Sequence, residues 1–158
     1  SSQTRMSKPS DYSKQLRAKQ KAKTIFGIME SQFKKYYDEA SKTRGKTGEA
    51  LLQIIERRLD NVVYRLGLAS SRAEAKQLVS HRKVLVNNKL ININSYILNE
   101  KDVIELKNKS KKNNKKIETP TWLKVDSKNL KGEVIKLPSR DEMEQDIDEQ
   151  LIVEFYSR

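Results

Sequence analysis

Residues 57–106 constrain the fold most, because a helical and a strand-like apolar period meet there within one short stretch. Leu59, Val62, Val63 and Leu66 recur at three- and four-residue spacing, the mark of one helical face. Gly67 suits the left-handed position just past a helix end. Ser71 and Glu74 then form an S-x-x-E capping box that opens a short helix over 72–81, with Ala75, Leu78 and Val79 inward. Beyond it the period changes. Val84-Leu85-Val86 and Leu90-Ile91 flank Asn87-Asn88-Lys89, and asparagine tolerates the backbone of a tight hairpin. Ile93, Tyr96, Ile97 and Leu98 lead to a polar turn at 99–102 and a further strand at 103–106. Connections this short exclude parallel crossovers, so the sheet is predicted to be small and mainly antiparallel.

The flanks read as helical before this stretch and mixed after it. Residues 1–10 are a polar, aperiodic basic arm. Ser10 and Gly27 bracket a predicted helix with thin apolar content. Phe33, Tyr36, Tyr37 and Ala40 share one helical face, and core packing explains them better than base stacking. A continuous helix is predicted over 49–66. After the module, residues 107–116 are lysine-rich with no apolar side chain, a basic linker on composition. A strand is predicted over 133–137. Ser139 and Glu142 form a second capping box, predicting a helix with Met143, Ile147 and Leu151 inward, and Leu151, Val153 and Phe155 alternate as a strand does. The expected fold class is α+β: an N-terminal helical part completed by C-terminal elements, plus an α/β module of two helices on a small sheet. The corresponding division is arm 1–10, helical domain 11–56 with 139–158 returning to it, module 57–106, linker 107–119 and module extension 120–138.

Charge then narrows the function. The 158 residues hold 33 Lys and Arg against 21 Asp and Glu, a net charge of +12. Such an excess repels itself and attracts polyanions, with nucleic acid the leading partner. No apolar run approaches the ~18 residues of a spanning helix, so a membrane partner is not expected. Candidate RNA contacts follow the basic residues. Arg57, Asn61 and Arg65 fall at i, i+4 and i+8 with Arg58 beside them, an alignment of arginines that calls for an anion. The free amides opening the 72–81 helix, with Ser70, Ser71 and Arg72, suit a phosphate, and Lys76 lies on the outer face. His81, Arg82, Lys83, Asn88 and Lys89 continue the basic surface into the hairpin. In the glycine-broken loop Arg44-Gly45-Lys46-Thr47-Gly48 the backbone is free to approach an RNA phosphate, although its spacing is not that of a nucleotide-binding loop. Lys14, Arg17, Lys19, Lys21 and Lys23 crowd the first helix, where a solvated face explains them as well as RNA does.

No catalytic constellation emerges. Cysteine is absent and His81 is the single histidine, so neither a thiolate zinc site nor a usual metal cluster is expected. The carboxylates over 141–149 read as a solvated helix face, and no serine sits in a nucleophile elbow. The expectation is a non-enzyme without cofactor or small-molecule substrate.

The string RLDNVVYRLGLASSRAEAKQLVSHRKVLVNNKLININSY resembles the RNA-binding module named after small-subunit ribosomal protein S-four. The module alone occurs in several proteins, including RNA-modifying enzymes, and a detached recognition domain of such an enzyme is the alternative reading. DYSKQLRAKQKAKTIFGIMESQF before it and LIVEFYSR at the end are similar to the bacterial-type ribosomal family itself. The resemblance implies a primary binder of small-subunit ribosomal RNA at a multi-helix junction of the 5′ domain, acting early in assembly. It also implies ribosome-bound protein in the cytoplasm or an organelle, beside ribosomal protein S-five near the messenger entry channel. Under it, Arg5 and Lys8 lie toward messenger RNA, and Tyr12, Gln15 and Glu154 match the S-five contact that affects decoding fidelity. Two departures from the family pattern are the lack of a further N-terminal arm, zinc-binding in some members, and a shorter 107–119 segment. With phosphate clamping as the mechanism, reversing charge at Arg72 and Lys76 is expected to weaken RNA binding while thermal stability holds.

Overall fold

The computed structural model describes residues 10–107 and 118–158, so Arg5, Lys8 and most of the basic linker lie outside the described residues. Three helices come first: α1 (Asp11–Phe26), α2 (Glu30–Ser41) and α3 (Thr47–Glu56). Ser10 caps α1 by accepting from the Ser13 amide, and Gly27 ends it at φ 66. Then α4 (Leu59–Arg65) and α5 (Arg72–Ser80) lead into β1 (Val84–Val86), β2 (Lys89–Leu90), β3 (Val103–Leu106), β4 (Leu123–Asp126) and β5 (Lys131–Val134). A 3-10 turn (Arg140–Glu142) and α6 (Glu149–Tyr156) complete the chain. The sheet has order β2-β1-β3-β5-β4 with every pairing antiparallel, and the fold is α+β.

Two apolar clusters divide the interior. One joins Ala22, Phe26, Phe33, Tyr36, Leu51, Leu52 and Ile55 of α1–α3 to Met143, Ile147 and Ile152. The other packs Leu59, Val62 and Val63 of α4 and the adjoining Leu66 with Ala75 and Val79 of α5 against Val84, Ile104 and Val134 of the sheet and Trp122 just before β4. Gly132 permits the closest approach between these layers: a Cβ there would meet Leu66 Cδ2 at 2.4 Å. The Asn87 and Asn88 turn takes positive φ at both residues, as the β1–β2 hairpin requires.

Four local expectations need correction. The predicted helix over 49–66 is broken at Arg58, whose backbone is extended at φ −63, ψ 142. The 94–98 segment causes the break by taking over the backbone bonds: Leu59 N donates to Tyr96 O at 2.8 Å, and Leu98 N donates to Arg57 O at 2.9 Å. The second capping box does form, but it supports only the 3-10 turn, because the Arg140 guanidinium claims the carbonyls of Glu144 and Ile147 at 2.9 and 3.0 Å. The alternating terminus is α6, started by Asp148 accepting from the Leu151 amide. Residues 151–156 are all at least half-buried, so alternation there carries no information on the period. The strand placed at 133–137 is instead β5, ending at Val134, after which Ile135 N turns to Trp122 O.

Glu142 ties this C-terminal turn to the sheet. Burial alone would raise its carboxyl, but bonds from Thr121, from the backbone and hydroxyl of Ser139, and from Lys136 hold it down at about 2 against an ordinary 4.5. A depressed carboxyl contributes stability that is present above pH ~4.5 and lost as pH falls toward 2. The melting-temperature gap between wild type and Glu142→Gln should therefore be widest near neutral pH and close across that window. A gap independent of pH contradicts this account.

Candidate nucleic-acid interface

The break between α3 and α4 folds the polar side chains of 56–61 inward. Glu56 is 0% exposed. Its carboxylate accepts from Asn61 Nδ2 at 2.7 Å, from Arg65 Nε and Nη2 at 3.1 and 2.7 Å, and from the Glu144 amide at 2.8 Å. Asn61 Oδ1 in turn accepts from Arg72 Nε at 3.0 Å, and Glu144 lies 3.2 Å from Arg65 and 3.4 Å from Arg72. Arg72 is sandwiched between the rings of Phe26 and Tyr64, 4.7 and 4.6 Å from their centroids. Burial and the adjacent Arg65 push its guanidinium below the ordinary value. Beside this knot, Asp60 accepts both ends of the Arg58 guanidinium at 3.1 and 2.9 Å and also takes Lys76. Arg58 Nη1 donates to Tyr36 Oη at 3.1 Å. Buried ions of this kind persist only when paired and hydrogen-bonded. The cluster joins α2, α3 and the 143–144 segment to α4 and α5.

These bonds revise the candidate set. Arg58, Asn61, Arg65, Arg72 and Lys76 are drawn inward by Glu56, Asp60 and Glu144, and Arg58 at 6% exposure offers no surface to a phosphate. The aligned arginines do face anions, but those anions are the protein's own carboxylates. Arg57 is half-buried and bonds Leu98 O and Asn99 Oδ1. At the start of α5 the Glu74 carboxylate reaches back to the amide and hydroxyl of Ser70, while Ser71 accepts from the Glu74 amide. The negative charge expected there from a phosphate is thus supplied internally. On α1, Lys19 is buried, 2.8 Å from Glu30 and 4.2 Å from the centroid of Phe155, and Lys23 pairs with the same Glu30. Lys21 pairs with Asp146 at 2.8 Å.

Of the candidate cations, those left facing solvent are Lys14 and Arg17 on α1, Arg44 and Lys46 before α3, and Arg82, Lys83 and Lys89 around β1. Among the described residues, no carboxylate lies within ion-pair distance of these seven. Thr47 is half-buried at the start of α3, while His81 and Asn88 are exposed. Gln15 and Glu154 bond each other at 3.3 Å, and Arg158 donates to Gln15 at 2.7 Å. Tyr12, 48% exposed, has its ring 5.8 Å from that of Phe155 and 4.9 Å from the Arg158 guanidinium. The acidic C-terminal surface is mostly spent on internal pairs, among them Glu149–Arg140 at 2.6 Å.

Among the described residues, no helix is long and apolar enough to cross a membrane, and no cluster of His, Cys, Asp and Glu could hold a metal ion. Two family models match: the S4 domain over residues 57–104, and the ribosomal protein S4/S9 N-terminal domain over residues 1–56. Small ribosomal subunit protein uS4 of Halothermothrix orenii is 50% identical over 163 residues, covering 98% of this chain and 78% of that protein. Its counterpart in Dictyoglomus turgidum is 52% identical over 160 residues, covering 96% and 77%. Protein uS4A of Symbiobacterium thermophilum is 49% identical over 159 residues, with the same coverage.

Because Arg72 and Lys76 are bound to internal carboxylates, the expectation that their reversal spares stability does not hold. Replacing both by glutamate should lower unfolding free energy by about 3–5 kcal/mol, the range for breaking buried pairs, as read by urea denaturation. A decrease under about 1 kcal/mol, the scale of a surface pair, contradicts the buried network.

Proposed function

The chain belongs to the small ribosomal subunit protein uS4 family, and from that premise we propose that it is a structural, non-enzymatic constituent of the small subunit that binds its ribosomal RNA. The observation that carries the reading is the sorting of cations. Those near the α3–α4 break are neutralised inside, whereas Lys14, Arg17, Arg44, Lys46, Arg82, Lys83 and Lys89 are held outward by helix and hairpin backbone. Such side chains grip phosphates at several separated points and recognise the shape of folded RNA more than its base sequence. The family membership implies a multi-helix junction of the 5′ domain, engaged early in assembly, as the target.

The division of labour we infer pairs residues 11–56 with 139–158 as one RNA-facing half, and the module 57–106 with its extension 120–138 as the other. Residues 1–10, with Arg5 and Lys8, and the linker 107–119 add basic reach toward RNA, the arm toward the messenger entry channel. Tyr12, Gln15 and Glu154 form the face we assign to neighbouring ribosomal protein S-five: the latter two are bonded, and the exposed Tyr12 ring lies beside Arg158, which donates to Gln15. Association with the ribosome places the protein in the cytoplasm or in an organelle with its own ribosomes. The rival reading, a recognition domain detached from an RNA-modifying enzyme, accounts for 57–104 but not for the ribosomal match over 1–56.

Replacing Lys14 and Arg17 together by glutamate should weaken binding to a small-subunit ribosomal RNA transcript. The salt slope of log affinity should fall by roughly 0.7–0.9 for each phosphate no longer neutralised. The melting temperature should stay within about 2 °C, as for exposed residues without partners. Unchanged affinity and slope in a filter-binding titration removes α1 from the interface.

A further inference from the structure

The β1–β2 hairpin has little of its own to fix its direction. Only two residue pairs join its strands, Leu85 with Leu90 and Val86 with Lys89. A hairpin this short is marginal by itself, and β2 is an edge of the sheet. Its tip nevertheless carries Asn88 and Lys89, both exposed. The backbone of Asn87 and Asn88, at φ 51 and 66, makes the turn but does not set the tip against the rest of the sheet.

A chain of polar side chains supplies that setting. Asn87 Nδ2 donates to Asp102 Oδ1 at 3.0 Å, and Asn87 Oδ1 accepts from the Val103 amide at 2.9 Å. The other oxygen of Asp102 accepts from the Asn99 amide at 2.7 Å. Asn99 Oδ1 accepts from Arg57 Nη2 at 2.8 Å, and Arg57 Nε donates to Leu98 O at 2.9 Å. Four side chains thus run from the α3–α4 break, through the 99–102 turn, to the hairpin. All but the last of these bonds are exposed. Bonds exchanged for bonds to water contribute little net stability. What they fix is position, since both ends of the Asn87 amide and both oxygens of Asp102 are committed. We propose that Asn87 and Asp102 are positioning residues that hold the hairpin tip where Lys89 meets an RNA phosphate. Arg57 and Asn99 anchor the pair to the α3–α4 break, and none of the four touches RNA. The assignment rests on the RNA-binding reading and adds to it how a contact at the sheet edge is kept in place relative to the helical half.

The test uses the whole chain and a small-subunit ribosomal RNA transcript. Asn87→Gly keeps the left-handed turn and the net charge while removing the tie. Its melting temperature should stay within about 2 °C of wild type, as for other exposed positions. Binding should nevertheless weaken about fivefold, and the salt slope of log affinity should fall by roughly 0.7–0.9, the share of one phosphate at Lys89. Combining Asn87→Asp with Asp102→Asn reverses donor and acceptor at the same net charge, so the bonds to each other, to the Val103 amide and to the Asn99 amide all re-form. This exchanged pair should return affinity and slope to wild-type values. A neutral side chain in direct contact with RNA changes affinity without changing slope, so a weakened Asn87→Gly of wild-type slope overturns the proposal. Undiminished binding by Asn87→Gly, or an exchanged pair that fails to restore it, does the same. Wild-type protein that shows no salt-dependent RNA binding overturns the RNA reading itself, a result distinct from these.

Discussion

A carboxylate with no access to water holds this structure together. Glu56 receives four donors, from Asn61, twice from Arg65 and from the Glu144 backbone, and each comes from outside its own helix. Taking such an ion from water costs several kcal/mol unless its partners are well placed. The pairs that satisfy it therefore dictate where α4, α5 and the 143–144 segment lie relative to α3. Asp60 repeats the arrangement with Arg58 and Lys76, and Tyr36 extends it to α2. Apolar burial fills each of the two cores; the polar knot fixes how one core is set against the other.

That division bears on function. A chain with a +12 charge needs its cations spaced if it is to fold before it meets RNA. Here the cations around the α3–α4 break are matched to carboxylates inside, and the other candidates are dispersed over α1, the 44–46 loop and the β1 region. On the proposed RNA-binding reading, helices and strands fix the backbone of each candidate side chain, which limits the entropy cost of binding.

Much of this is legible in the sequence, and the failures share one cause. The helical face of Leu59–Leu66, the Ser71 cap and the Asn87-Asn88 turn are local signals, and they occur where the pattern places them. The terminal helix escapes a reading by period because short, wholly packed segments have no polar face to betray it. Arg65 and Arg72 look like phosphate ligands in the sequence because Glu56 lies across a break that backbone from 94–98 creates and Glu144 lies far along the chain, while the extended Arg58 backbone lets its side chain reach Asp60 two residues on. Periodicity cannot report a contact across such a break.

Native-state hydrogen exchange on wild type and Glu56→Ala tests most directly whether the knot makes one cooperative body of the two cores. Amides of Leu52 in α3 and Ile104 in β3 report the two cores separately. In wild type the two should open with a single free energy, and Glu56→Ala should separate them, with Leu52 exchanging first. Unequal opening already in wild type, or equal and undiminished protection in the variant, contradicts the account.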